Sequence, residues 1–273
     1  MRAMDKGAAL ASPRLGRLLA IPPSVVRWIV SFAIAIALWE LCARLFVANN
    51  LFFAPLSAVA VRAVELWSTG ELQTDIWVSF VEFAGGFLLS VVVGILLGIV
   101  LAGSTLVRGV VDPWISMLYA TPIIALGPLF ILWLGIGVGS KIAIVFLTAV
   151  FPILINTVTG LTNTDRTLIE VARSFGADPW QIYAKIRLPA ALPFIIAGLR
   201  LSVARALVGV VVAELFGARA GLGFLILNSA QAFDTAGLFV GVLVLAFAGV
   251  VSVELLKWLE LKLAPWRAPD DDE

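Results

Sequence analysis

Histidine is absent from this 273-residue chain, and with it the commonest general base and the commonest metal ligand. The single cysteine, Cys42, rules out an internal disulfide framework. Charge is scarce at 14% of residues and nearly balanced, with a formal net of +1, which argues against a nucleic-acid partner. No Gly-Lys pair occurs, so the phosphate-binding loop that pairs glycines with lysine is missing, and the Gly-rich stretch Gly135 to Ser140 reads as a turn. No Cys–His or Ser–His–carboxylate set can be built, and no metal-ligand spacing is found. Nothing here points to an enzyme, to a metal or to a cofactor held by this chain. What fills the sequence instead is apolar: 61% hydrophobic residues and a mean hydropathy of +1.05. Several runs are long enough to cross a bilayer.

Six spans are expected, in an all-α polytopic membrane protein: about 27–47, 77–103, 114–134, 141–161, 194–216 and 238–261. A segment basic and apolar by turns, 1–26, is expected to precede one membrane domain over 27–264, and an acidic tail, 265–273, to follow, both on the cytoplasmic side. In the first span Glu40 and Arg44 stand four residues apart, close enough to pair. Residues 49–76 connect to the second span and contain an amphipathic helix over about 57–67. That second span carries Gly86, Ser90, Gly94, Gly98 and Ala102 at four-residue intervals, a groove that lets another helix backbone approach. Pro122, Gly127 and Pro128 interrupt the third span; such a break either lines a cavity or merely kinks the helix. A short helix, ending near Phe233, is expected between the fifth and sixth spans.

The most polar interior stretch, Asp165 to Pro193, holds four of the nineteen Lys and Arg residues. Leu168, Ile169, Ala172 and Phe175 recur at helical spacing. Gly176 supplies a left-handed stop, Asp178 an N-cap, Pro179 a first helical residue and Gln181 the third position of a capping box. A second helix then runs to about Ile186, and Pro189 is expected to end it. Two short amphipathic helices joined at a glycine bend make a knob too short and too charged to span lipid. Sorting the basic residues by side puts thirteen with the knob and both termini, against four on the opposite side, so that face is expected to be cytoplasmic.

Glu170, Ala172, Gly176, Ile186, Leu188 and Pro189 reproduce the spacing Glu-Ala-Ala, three residues, Gly, nine residues, Ile-x-Leu-Pro, with Val171 in place of the usual second residue. In this the chain resembles the membrane subunits of ABC importers, over about 54–266, and most nearly the nitrate, sulfonate, taurine and bicarbonate branch. The resemblance implies a type I importer-like fold with a cytoplasmic coupling loop over 165–189. It implies two copies of an ATPase subunit that binds the ATP and Mg, an extracytoplasmic substrate-binding protein, and a homodimer within the bilayer of the bacterial inner membrane. It makes Leu168, Glu170, Ala172, Phe175, Gly176, Ile186, Leu188 and Pro189 the ATPase-coupling residues.

For the translocation path the candidates are Glu82, Pro122, Arg205 and Glu214. Arg205 lies nearest the middle of the fifth span and is the best placed to face water. Arg200 is near enough to an end to snorkel, and Glu214 to cap or to pair with Arg219. Glu82 stands where the family has Arg, a departure that weakens positive potential at the outer mouth. A small organic anion is the expected substrate, with a heteroaromatic vitamin precursor as alternative. An ion-coupled secondary transporter using Glu82, Glu214 and Glu254 is the rival of another class.

Overall fold

The computed structural model describes residues 23–45 and 53–263; the segments expected at either terminus fall largely outside these. Residues 1–57 form one compact unit and 58–273 another. In the first, helix α1 (Pro23–Leu45) is apolar and exposed along most of its length, as a lipid-facing helix would be. The Arg44 guanidinium meets Glu40 at 2.6 Å, and the Ser57 hydroxyl and amide both donate to the same carboxylate. Four hydrogen bonds thus join Glu40, Arg44 and Ser57 at the helix end, and the Trp39 indole donates to the Ala54 carbonyl.

The amphipathic helix α2 (Leu56–Ser68) begins in the last two residues of the first unit and otherwise belongs to the second, as does the long span α3 (Glu71–Gly103), which starts six residues earlier than its apolar run suggests. Helix α4 (Thr105–Ala120) and α5 (Gly127–Leu134), with a 3-10 turn between them, form one span bent by 79°. The break comes at Thr121, which is extended, because a residue preceding proline is pushed out of the helical region. Pro128, by contrast, occupies the first turn of α5, where its missing N–H costs nothing. Next come α6 (Val138–Thr162), the knob helices α7 (Arg166–Ser174) and α8 (Pro179–Ile182), then α9 (Leu188–Leu215), the short α10 (Leu222–Gln231) and α11 (Thr235–Leu263). Counting the bent pair as one, the described residues supply six helical spans.

Helix α6 is the axis of the bundle, packed along both α3 and α9. The small-residue stripe on α3 is what allows this. A Cβ added at Gly86 would come within 2.5 Å of Val145, at Gly94 within 3.0 Å of Ile153 and at Gly98 within 2.6 Å of Thr157. Ser90, in the same row, donates to the Phe146 carbonyl at 2.9 Å. From the other side Ser202 of α9 donates to the Ala149 carbonyl at 2.7 Å. In lipid, where apolar surface gains little from burial, close backbone approach and such interhelical hydrogen bonds are what hold spans together. Ile153, Leu161, Ala191, Ile195 and Val203 fill the remaining space.

One expectation fails. Pro189 does not end the second knob helix: the chain is helical from Pro179 to Leu215. A π turn, Tyr183–Arg187, explains it. The Leu188 N–H donates to the Tyr183 carbonyl five residues back, so the ladder has already shifted where proline removes a donor. Pro189 then falls in the first turn of α9 and is tolerated there.

Candidate functional site

The knob is built by its caps. Asp165 accepts from the Thr167 N–H at 2.8 Å and starts α7. Gly176, at φ +78°, ends it: the Gly176 N–H bonds to the Arg173 carbonyl and the Ala177 N–H to that of Ala172, the paired pattern of a Schellman stop. Two residues on, Asp178 and Gln181 exchange bonds of 2.9 and 3.1 Å in a reciprocal capping box. The apolar face divides in two. Ile169 and Ile182 are buried, and Ile186, Leu188 and Pro189 are half-buried at the root of α9. Leu168, Val171 and Phe175 point outward with Glu170, and Phe175 is 87% exposed. Ala172 is half-buried between the two groups. Trp180 is 73% exposed and stacked on Tyr183. It was not among the expected coupling residues, although a tryptophan at the second position of a capped polar helix was the available signal.

Pro122 and Arg205 line one cavity of about 430 Å³, together with Tyr119, Thr121, Thr148 and Phe151. It opens at the break between α4 and the 3-10 turn. Arg205 donates to the Tyr119 hydroxyl at 2.8 Å, and its guanidinium carbon lies 4.9 Å from that ring's centre. Phe151 packs against the same ring. The cavity thus offers one fixed cation, two aromatic surfaces and two threonines. Arg200, a turn and a half away, does not snorkel; it is paired with Glu260 of α11.

Glu82 and Glu214 line no part of that cavity. Both side chains are fully buried at the other end of the bundle from the knob, where α3 and α6 begin and α9 ends. Glu214 accepts from the Ser79 hydroxyl and the Gly223 N–H, each at 2.5 Å, rather than pairing with Arg219. Glu82 lies beside it and meets the Lys141 ammonium at 3.0 Å. Ser79 in turn accepts from the Leu222 N–H, and Asp75 from the Gly221 N–H, at 2.7 and 2.8 Å. Asp75, Ser79 and Glu82 follow each other at helical spacing, so one face of α3 presents three polar groups toward α9 and α10. On the same side, Arg62 of α2 meets Asp234 at 2.8 Å, and the Asp234 and Glu65 carboxylates hold its guanidinium above the ordinary arginine pKa. Asp234 also caps α11 through the Gly237 N–H.

Six spans, a largely apolar cavity holding one arginine and a capped knob at one end define a helical transport permease. The chain belongs to the family of binding-protein-dependent transport system inner membrane components, whose model matches residues 91–265. It is 37% identical to the aliphatic sulfonates transport permease protein SsuC of Bacillus subtilis, over 86% of this chain and 85% of that one. It is 33% identical to the formylaminopyrimidine transport permease protein ThiX of Halalkalibacterium halodurans, over 86% and 94%. The taurine transport system permease protein TauC of Escherichia coli is 29% identical over 86% and 88%. Among solved structures, an inward-facing form of the MetNI methionine ABC transporter matches with a TM-score of 0.62 at 19% identity, over 70% of this chain and 95% of that one. The fold expected from the sequence is thereby shared with a known ABC transporter.

Proposed function

We propose that the knob end faces the cytoplasm and seats in a groove of a separate ATPase subunit, which binds the ATP and Mg that drive transport. The observation that carries this reading is a set of apolar side chains, Leu168, Val171, Phe175 and Trp180, held outward by caps on a polar knob. An apolar group exposed on a rigid, charged element is what a partner buries, and such aromatic anchors dominate interface energies. One chain carries one knob, so two copies would engage two ATPase subunits, with the path between them. At the opposite end an extracytoplasmic binding protein would deliver cargo.

The cavity around Arg205 and Pro122 is the proposed path, open to alternating access as the spans tilt. A small organic anion suits Arg205 held in a largely apolar wall, and relatives named for sulfonates and taurine support that class. The heteroaromatic reading is favoured by a different observation, the Tyr119 and Phe151 rings, and by the formylaminopyrimidine permease among the relatives.

The test is co-purification of the ATPase subunit with Phe175→Asp and Trp180→Asp. Each side chain should contribute about 2 kcal/mol when buried, so each variant loses tenfold or more in affinity. The chain should still insert and unfold near the wild-type temperature, because both side chains are largely exposed in the free protein and Trp180 gives up only its stacking on Tyr183. Undiminished ATPase binding by the double variant would refute the assignment of the knob.

A further inference from the structure

The buried polar cluster at the far end lies outside the Arg205 cavity and the knob, and three of its members, from two different spans, converge on one backbone stretch. Three successive N–H groups, of Gly221, Leu222 and Gly223, are each taken by a side chain: Asp75, Ser79 and Glu214 in order. These are the donors that the start of α10 leaves without partners inside its own helix. Glu214 receives the Ser79 proton while Ser79 receives the Leu222 N–H, so the bonds run in a chain. Lys141 supplies the positive charge that two adjoining buried carboxylates, Glu82 and Glu214, require.

The position of Glu214 gives the cluster its meaning. It is the penultimate residue of α9, the helix that grows directly out of the knob through the π turn. Over 28 residues α9 is a rod of about 42 Å. We propose that Glu214 is a positioning residue that clamps the start of α10 to α9 and α3, so that movement of the knob is delivered to the outer hairpin 216–234 through a single rod. The proposal rests on the knob being the driven element, but the clamp itself is a property of the chain alone. Apolar packing of Leu222 and Leu225 also holds α10, and would leave it free to slide; directed hydrogen bonds to the Glu214 carboxyl group fix its register.

Amide hydrogen exchange of the purified full chain in lipid nanodiscs tests the clamp. In Glu214→Gln, where an amide N–H2 replaces one of the two accepting oxygens, the amides of 221–225 should exchange about tenfold to a hundredfold faster, the range expected for a lost buried hydrogen bond, while α6 stays protected. Asp75→Asn keeps an oxygen for the Gly221 N–H and should match wild type, whereas Asp75→Ala should not. In vesicles with the ATPase subunit and delivery protein, Glu214→Gln should lower uptake at least tenfold with ATPase co-purification unchanged. Unaltered exchange in Glu214→Gln, or faster exchange with undiminished uptake, would overturn the proposal. Failure of wild-type uptake with every ATPase tried would instead count against the transport reading, with the exchange result still standing.

Discussion

Substitution of Gly176 isolates the conformation of the knob from its contacts. The residue sits at φ +78°, and a Cβ placed there would find nothing within 4 Å, so no side chain of this protein resists a larger residue. The only penalty is the left-handed backbone, about 1–2 kcal/mol for an ordinary L-residue and more for a β-branched one. Because the two bonds that close the bend, from Gly176 and Ala177, hold only in this conformation, the variant knob relaxes when free and must be bent back on docking. Affinity for the ATPase subunit should fall by the same free energy, about 5- to 30-fold for Gly176→Ala. Gly176→Val should lose more, with insertion into the membrane intact and transport reduced. Gly176→Asn is the decisive variant, since asparagine accepts the left-handed region despite its size. Titrating the ATPase subunit onto the chain in nanodiscs should therefore rank the variants Gly, Asn, Ala, Val from tight to weak. A ranking by volume, with Asn below Ala, would refute the backbone argument and put Gly176 in direct contact with the partner. Normal transport by Gly176→Val would remove the coupling role altogether.

Two further outcomes follow from the geometry. Gly98→Ala must push Thr157 away, whereas the Cβ of Gly103→Ala meets nothing within 4 Å; overpacking of the α3–α6 seam should cost the first variant about 1–3 kcal/mol and leave the second unchanged in thermal unfolding. Arg205→Gln should cut uptake of an anionic substrate tenfold or more, with Arg205→Lys retaining part of it, whereas a neutral ring substrate should respond to Tyr119→Ala and be indifferent to Arg205→Gln; competition of uptake by a sulfonate against a pyrimidine reads out which holds.

The bend and caps of the knob could be read from single residues because each acts locally. Gly176, Asp178 and Gln181 do their work within five residues of themselves, and the glycine stripe of α3 announces itself at a fixed interval. Pro189 misled because the rule that proline stops a helix assumes an unbroken α ladder, and the π turn before it is not written in any one residue type. Glu82 and Glu214 are path candidates in the sequence because a carboxylate in a span invites a functional reading, and the structure places them outside the Arg205 cavity. Their partners lie 59 and 135 positions away in sequence, at Lys141 and Ser79, and Lys141 by itself reads as a flanking charge. Only tertiary structure brings such distant positions to one point.

The π turn at the root of α9 has a geometric corollary. It holds one residue more than an α-helical path would, and each residue turns a helix by about 100°. Deleting one residue among Ala184, Lys185 and Ile186 would convert the turn to plain helix and swing Phe175 and Trp180 to a different compass bearing around the rod. It would also set the Pro189 ring against the carbonyl four residues earlier. The bearing of the knob around α9 is thus stored as a phase angle, in a single supernumerary residue.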